Sequence, residues 1–362
     1  MKICFFLPTL GSGGAERTVT YLSDRFANEG HDVSVLTLFG NVFYNLNPNV
    51  KVICINVNTG YKNLIERLLN IVKRFYRSQK YLASNIPDVV FCILPETAKY
   101  ISGFAKRKKI RIITSERNNP SLDGNLKLKS KIFKKSDGVV FQTERAKLWY
   151  STDIQKKSIV IHNAVGNDLV YKIPQITDRK KKIAAVGRLS SQKDYPTLFR
   201  AFRHVLDVYP NYTLELFGEG PEKENLIRYA DDLGILENVK FMGVHKDAIL
   251  KIADSACYVL SSLYEGMPNA LMEAMAVGLP CISTDCHNGP AELIENEKNG
   301  ILVPVGDSDA LSKAILRMIE DREFAQSCGT EAKKILETHN VDVISGQYLD
   351  FVMSVLSREN IK

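Results

Sequence analysis

Several features that mark particular protein classes are scarce or missing in this chain of 362 residues. No run approaches the roughly 18 consecutive apolar residues of a membrane-spanning helix. The seven cysteines are odd in number and include no C-x-x-C pair, so we expect reduced, mostly buried thiols in a cytoplasmic protein. The six histidines show no metal-ligand spacing, and we expect neither a protein-built metal site nor a bound cofactor.

Length and composition predict an ordinary globular protein of roughly two domains. The apolar fraction of 45% is sufficient for normal hydrophobic cores. The apolar start of the chain is too short for a signal peptide and is broken by Pro8. Residues 2–7 therefore predict a first buried strand.

Charge is distributed unevenly between the two halves of the chain. Residues 1–175 contain 27 Lys and Arg against 13 Asp and Glu, a balance of +14, whereas residues 176–362 contain 21 against 28, a balance of −7. A basic half beside an acidic half predicts an anionic partner for the first half.

Short apolar runs alternate with amphipathic helical patterns in both halves, which predicts an α/β fold. Residues 166–182 have no periodicity, and we place a domain boundary near residue 175. The alternation on either side predicts two doubly wound, Rossmann-like domains facing each other. A ligand is then expected in a cleft at the carboxyl ends of both sheets.

The stretch from Glu265 to Glu273 is the centre of the predicted site. It follows an apolar run, 256–260, that predicts a buried strand, and it opens a helix predicted over 268–277. Glu265 precedes the helix and Glu273 lies one turn into it. The first free amides of this helix predict an anion site, and they belong to Asn269, Ala270 and Leu271. Amides for a diphosphate and carboxylates for hydroxyl groups suit a sugar nucleotide.

Three further loops have residues suited to phosphate groups. Gly13 and Gly14 lie in a strand–turn–helix unit, but Glu16 replaces the third glycine of the dinucleotide fingerprint, which argues against NAD. Arg188 and Lys193 lie in a later strand-to-helix loop and suit a diphosphate. The turn from Gly218 to Pro221 would let a ligand approach the backbone.

A basic amphipathic helix is predicted over residues 64–83. It either lies on an anionic membrane surface or packs on its own sheet with a solvated basic face. Its basic residues are Arg67, Lys73, Arg74, Arg77 and Lys80. Two further basic clusters, 106–111 and 127–135, favour the membrane surface as partner of the domain. No nucleic-acid recognition motif accompanies them, so we expect no nucleic-acid partner.

In this order and spacing, the motifs resemble the retaining family 4 glycosyltransferases of the two-Rossmann-domain (GT-B) type. The resemblance covers nearly the whole chain and is strongest over 183–304. Its signature is the E-x7-E formed by Glu265 and Glu273. Supporting it are Gly187-Arg188 with Lys193, Gly218-Glu219-Gly220-Pro221, Gly13-Gly14-Ala15-Glu16 and Gly278-Leu279-Pro280.

The resemblance implies a role for each matching residue. Arg188 and Lys193 would neutralise the donor diphosphate, Glu273 would hold the ribose, and Glu265 would face the transferred sugar. The amides of Asn269, Ala270 and Leu271 would bind phosphate, and the Gly13-Gly14 turn would approach the donor from the other domain. The chain would divide into an acceptor-side domain, 1–175, a donor domain, 176–344, and a final helix, 345–362, that returns to the first domain.

The loop after the strand at 110–114 departs from the family pattern. Many relatives place a histidine there, whereas this chain has Ser115-Glu116-Arg117-Asn118. Glu116 or Arg117 would take its position, with Asn118 beside them on the acceptor side. This sequence also resembles a subgroup that acts on lipid-linked or capsular oligosaccharides.

The resemblance implies transfer of a hexosyl or N-acetylhexosaminyl unit from a nucleotide sugar, expected to be UDP-linked, without a metal. The acceptor would be a polysaccharide or a polyprenyl-diphosphate-linked glycan of a bacterial surface polymer, met at the inner face of the cell membrane. Front-face attack and a covalent intermediate on Glu265 both remain open. The alternatives are a non-catalytic sugar-nucleotide-binding partner and an epimerase of the same fold.

Overall fold

The computed structural model describes residues 1–11, 13–40, 42, 45–57, 63–117, 120, 125–170, 172–173, 176 and 178–358. The chain divides into two compact units. One contains Met1–Ala164 and Val341–Lys362, and the other contains Val165–Asn340. Each unit is built on one parallel sheet with helices between the strands, so the predicted α/β fold with two parallel sheets is confirmed.

The first unit has a seven-stranded sheet in the order β3-β2-β1-β4-β5-β6-β7. Its strands are β1 Lys2–Leu7, β2 Asp32–Thr37, β3 Lys51–Cys54, β4 Val89–Cys92, β5 Arg111–Glu116, β6 Gly138–Phe141 and β7 Ser158–Val160. Its helices are α1 Gly14–Asn28, α2 Leu64–Ser84, α3 Ser102–Lys108, α4 Leu126–Lys135, α5 Glu144–Leu148 and α6 Thr152–Gln155, with a 3-10 turn at Pro95–Tyr100.

The second unit has a six-stranded sheet in the order β10-β9-β8-β11-β12-β13. Its strands are β8 Lys180–Val186, β9 Thr213–Phe217, β10 Val239–Gly243, β11 Ser255–Leu260, β12 Cys281–Thr284 and β13 Ile301–Val303. Its helices are α7 Asn167–Val170, α8 Tyr195–Val208, α9 Lys223–Asp232, α10 Ala248–Ile252, α11 Asn269–Ala276, α12 Pro290–Leu293, α13 Ser308–Glu320, α14 Arg322–Lys333 and α15 Ile335–Thr338. The last helix, α16 Val341–Ser357, belongs to the first unit.

The central strands are buried along their length because helices cover both faces of each sheet. All four residues of β4, β6 and β12 are buried, and so are all six of β11. In the first unit, α16 inserts Tyr348, Phe351 and Val352 into the core formed by β1, β4 and α1.

The units divide at residues 164 and 165, so the predicted boundary near 175 lies inside the second unit. Val165 and Leu169 are buried in the hydrophobic core of that unit. Residues 166–182, which lack periodicity, also contain the first residues of β8. These first residues are polar, and Lys180 forms an ion pair of 2.8 Å with Asp254. The short β13 and α10 also escaped the sequence analysis.

Gly218 is required by a close approach of two loops, which gives a first prediction. Its φ is +146°, and a Cβ here would overlap the carbonyl oxygen of Gly187. Gly234 also has a positive φ, +66°, but a Cβ added there would meet no other part of the protein within 4 Å. We expect Gly234→Ala to destabilise the protein by about 1 kcal/mol, which is the cost of backbone strain alone. Gly218→Ala should cost about 2 kcal/mol or more in addition, because its Cβ also overlaps the Gly187 carbonyl.

Thermal unfolding of the two variants measures this difference. Gly218→Ala should lower the Tm by several degrees more than Gly234→Ala. Equal melting temperatures would mean that the loops containing Gly187 and Gly218 can move apart without a loss of stability.

Candidate functional site

The predicted donor residues lie in loops at the carboxyl edge of the second sheet. Strands β9, β8, β11 and β12 are neighbours and parallel, so the loops that follow them meet at one edge. We call residues 187–194, 218–222, 261–268 and 285–289 the carboxyl-edge loops.

An ion pair joins two of these loops. The Lys193 ammonium lies 2.5 Å from Oε1 of Glu265, and both side chains are largely buried. The Ser262 hydroxyl donates to the same carboxylate oxygen at 2.6 Å. Lys193 and Glu265 are 72 positions apart in sequence, and the fold brings them into direct contact, as expected of two residues predicted for one site. In this structure, however, the charge of Lys193 is directed at Glu265.

Backbone contacts fix the loops on which this pair lies. The Leu263 amide donates to the Gln192 carbonyl at 2.9 Å, and the Gln192 side-chain amide donates to the Tyr264 carbonyl at 2.9 Å. The Ser261 hydroxyl donates to the Lys193 carbonyl at 2.7 Å. Lys193 and Glu265 are therefore held in place before any ligand binds, which is the preorganisation that charge stabilisation requires.

The loop after β12 packs on the residues that precede α11. The Glu265 amide donates to the His287 carbonyl at 3.4 Å, and Gly289, at φ +88°, lies so close to the Gly266 carbonyl that a Cβ would overlap it. Between them, Asn288 is 1% exposed and has a φ of +67°. Within the described part of the chain, neither polar atom of its side-chain amide has a hydrogen-bond partner. Such a buried polar group needs an explanation, and a bound ligand or water is the usual one.

Helix α11 presents its amino terminus to the same loops. Pro268 is the N-cap and the helix begins at Asn269, one residue later than predicted. The first intrahelical bond runs from the Met272 amide to the Pro268 carbonyl at 3.1 Å. The amides of residues 269–271 precede that bond and lie at the helix amino terminus, where anions bind to helices. Glu273 lies one turn further and is half-buried.

Arg188 follows β8 and is exposed. Over the residues that the structure describes, its guanidinium has no hydrogen-bond partner, in contrast to the ammonium of Lys193. The turn from Gly218 to Pro221 packs against the loop after β8. The Leu189 amide donates to the Glu219 carbonyl at 3.1 Å, and Gly220 lies against Leu189. A direct contact between Gly218 and the donor stays a prediction.

Two titratable neighbours of Glu265, Cys286 and Tyr195, are kept neutral. Burial and the neighbouring Glu265 raise the pKa of the Cys286 thiol to about 12. The same two causes raise the pKa of Tyr195, whose hydroxyl donates to the Gly187 carbonyl at 3.2 Å. Neither residue can supply an anionic nucleophile near neutral pH. In the described ranges, no group of three or more His, Cys, Asp or Glu side chains is arranged to hold a metal ion.

The glycine-rich turn of the first unit is occupied by a carboxylate. Gly13 is the N-cap of α1, and a Cβ at this position would overlap the carboxylate of Glu16. The Thr9 hydroxyl donates to Glu16 at 3.2 Å. Helix α1 starts at Gly14, as a strand–turn–helix unit requires, but its first turn already faces a negative charge. Contact of this turn with the donor stays a prediction.

Glu116, predicted on the acceptor side, lies in the core of the first unit. It is 1% exposed and forms a buried ion pair of 2.8 Å with Lys129, and the Tyr150 hydroxyl donates to it at 2.7 Å. The sequence does not indicate this buried pair, because Lys129 lies within a cluster that otherwise has the composition of a basic surface. The predicted cluster 127–135 therefore has one lysine fewer available to a partner.

Arg117 connects four parts of the first unit. Its guanidinium donates to the Thr18 hydroxyl at 2.9 Å, to the Asn163 side chain at 3.1 Å and to the Tyr348 hydroxyl at 2.9 Å. These contacts join the ends of β5 and β7 to α1 and to α16. Asn118, the third acceptor-side candidate, lies outside the described residues.

Two family models match the chain. Residues 12–168 match "Glycosyltransferase Family 4", and residues 170–335 match "Glycosyl transferases group 1". Together the matches extend almost without a gap over most of the chain. The chain belongs to the glycosyltransferases. It carries a family 4 domain followed by a group 1 domain, and the carboxyl-edge loops all lie in the latter.

Relatives of this glycosyltransferase include enzymes of glycan assembly. It is 25% identical to a Campylobacter jejuni α-1,4-N-acetyl-D-galactosaminyltransferase named for a diphospho-undecaprenol-linked glycan, over 98% of this chain and 99% of the relative. It is 30% identical to an Escherichia coli UDP-Gal:α-D-GlcNAc-diphosphoundecaprenol α-1,3-galactosyltransferase over 56% of this chain and 53% of the relative. Anabaena Alr3699/HepE, crystallised with UDP, shares the fold with a TM-score of 0.79 and 18% identity, over 98% of this chain and all of that one.

The buried ion pair of the glycosyltransferase's first domain gives a second prediction. Lys129→Met leaves the Glu116 carboxylate buried without its counter-charge, which typically costs about 3–5 kcal/mol. We expect a Tm lowered by roughly 6–20 °C. Lys131→Met, at an exposed position of the same helix, is the matched control and should change the Tm by about 2 °C or less.

The double variant Glu116→Gln with Lys129→Met separates charge from packing. It should recover part of the lost stability because no charge is then left buried. If Lys129→Met has the same Tm as the Lys131→Met control, the Glu116–Lys129 ion pair does not stabilise the fold.

Proposed function

We propose that this glycosyltransferase transfers a hexosyl or N-acetylhexosaminyl unit from a UDP-sugar, with retention of configuration, to a polyprenyl-diphosphate-linked acceptor in bacterial surface glycan synthesis. The acceptor class is supported by the names of the Campylobacter and Escherichia relatives. The nucleotide is supported by the UDP-sugar in the name of the latter and by the UDP bound to the Anabaena protein.

The observation that carries the proposal is the Lys193–Glu265 pair beside the amino terminus of α11. The donor diphosphate binds Arg188, Lys193 and the amides of residues 269–271. Glu273 accepts hydrogen bonds from the ribose, and Glu265 faces the transferred sugar. Two cations and a helix amino terminus supply the positive charge that a leaving diphosphate needs, so the reaction requires no metal ion.

Front-face displacement is the mechanism that these contacts favour. The acceptor oxygen bonds to the anomeric carbon on the face from which the UDP oxygen departs, and the acceptor proton passes to that departing phosphate oxygen. Glu265 is a poor nucleophile because Lys193 and Ser262 both donate to its Oε1. Its charge instead stabilises the positive charge that develops on the sugar ring.

Arg188 supplies the third prediction, since it is exposed and its guanidinium has no hydrogen-bond partner among the described residues. Arg188→Met should lower turnover by about 10²–10³-fold, the usual cost of losing one contact to developing charge. Arg228→Met, at an exposed position of α9, is the matched control and should leave turnover unchanged.

Release of UDP from a panel of UDP-hexoses and UDP-N-acetylhexosamines, with a polyprenyl-diphosphate-linked sugar as acceptor, measures this effect. Proton coupling at the new anomeric centre reports the configuration of the product. Normal turnover of Arg188→Met would exclude this donor site, and an inverted product would exclude the proposed mechanism.

A further inference from the structure

One buried side chain of the carboxyl-edge loops lacks hydrogen-bond partners. Asn288 is 1% exposed, and within the described part of the chain neither the oxygen nor the nitrogen of its amide is paired. A polar group that is buried without a partner costs the folded protein the full desolvation of that group. Such a cost is typical of sites where a ligand completes the hydrogen bonds.

The loop that contains Asn288 packs on the loop that contains Glu265. On one side of Asn288, the His287 carbonyl accepts a hydrogen bond of 3.4 Å from the Glu265 amide. On the other side, Gly289 lies against the Gly266 carbonyl. The backbone of residue 288 is therefore held beside residues 265 and 266.

The backbone that follows Asn288 is strained. Gly289 has a φ of +88° and a ψ of −69°, which is close to the rare γ-turn conformation. The free protein therefore carries two costs in one loop, an unpaired amide and a strained turn. Costs of this kind persist at binding sites because a ligand relieves them.

The order of the strands places Asn288 at the sugar end of the proposed donor site. Strand β11 lies between β8 and β12. The loop after β8 contains Arg188 and Lys193, which are proposed to bind the diphosphate, and the loop after β11 contains Glu265, which is proposed to face the sugar. Asn288 follows β12, so it lies beyond the loop of Glu265 on the side away from the diphosphate-binding loop.

The chemistry of the amide favours a sugar over a phosphate. The side-chain oxygen of asparagine accepts hydrogen bonds and its nitrogen donates them. Phosphate oxygens only accept, so a phosphate would leave Oδ1 of Asn288 unpaired. Two neighbouring hydroxyl groups of a sugar ring both donate and accept, and so do a hydroxyl and an adjacent acetamido group. Either pair would satisfy both polar atoms of the amide.

We propose that Asn288 binds two adjacent polar substituents of the transferred sugar and thereby selects among UDP-sugars. When the donor binds, the turn at Gly289 relaxes and the amide turns to the sugar. Nδ2 then donates to one substituent, and Oδ1 accepts from its neighbour. This role rests on the proposed function, since it requires a UDP-sugar at the carboxyl-edge loops.

Titration calorimetry of the full chain with UDP, UDP-hexoses and UDP-N-acetylhexosamines, in the absence of acceptor, tests the proposal. Asn288→Gly removes the amide, and glycine adopts the φ of +67° without strain. Its Kd for UDP should stay within about twofold of the wild-type value. Its Kd for the preferred UDP-sugar should rise by about 10–30-fold, the usual effect of losing two hydrogen bonds, and the preference among UDP-sugars should fall with it.

Asn56→Gly is the matched control. It is the same exchange at another positive φ, +50°, and at an exposed position of the first unit, so it should change neither Kd.

Thermal unfolding gives a second measurement. Because the Asn288 amide has no partner among the described residues, Asn288→Gly should lower the Tm of the free protein by no more than about 3 °C. The preferred UDP-sugar should then raise the Tm of this variant less than it raises the Tm of the wild type.

Three results would overturn the proposal. The first is an unchanged Kd for every UDP-sugar in Asn288→Gly while UDP binds normally, which would leave the proposed donor site intact. The second is an equal weakening of UDP and UDP-sugar together with a Tm far below that of the control, which would make Asn288 a structural residue. The third is the absence of UDP binding by the wild type, which would overturn the proposed function as well.

Discussion

The candidate site depends on one ion pair, between Lys193 and Glu265. It joins the loop after β8 to the loop after β11, at the carboxyl edge of the sheet and immediately before α11. Because both groups are largely buried, neither can lose its partner cheaply. The pair therefore does two things. It fixes the carboxylate that is proposed to face the transferred sugar, and it fixes the ammonium that is proposed to bind the donor diphosphate.

The parts of the fold and site that followed from the sequence are those in which local pattern and tertiary role agree. The buried strands β4, β6 and β11 are short, largely apolar runs, and a chain that alternates such runs with amphipathic helices has few possible architectures. Glu265 and Lys193 were placed in one site because each follows a predicted strand of a parallel sheet. Neighbouring parallel strands bring such loops to one edge.

The features of the fold and site that could not be predicted from the sequence depend on contacts between residues that are distant in sequence. Nothing local shows that Lys129 is buried against Glu116, or that Arg77 binds backbone carbonyls while apolar neighbours face outward. Charge alone placed Lys129 and Arg77 on the surface, and the family resemblance placed Glu116 in the acceptor-side loop. Asn288 did have a weak signal, since an Asn-Gly pair after a strand favours a positive φ, but only the fold shows that its amide is buried.

The central claim is that Glu265 and the donor diphosphate share Lys193, and titration calorimetry of UDP against wild type and Glu265→Gln tests it most directly. Neutralising Glu265 releases the Lys193 ammonium for the diphosphate. We therefore expect UDP to bind Glu265→Gln at least as tightly as wild type, while turnover falls by about 10²-fold or more. Loss of UDP binding in this variant, with the fold intact, would contradict the account, because Glu265 would then bind the nucleotide itself.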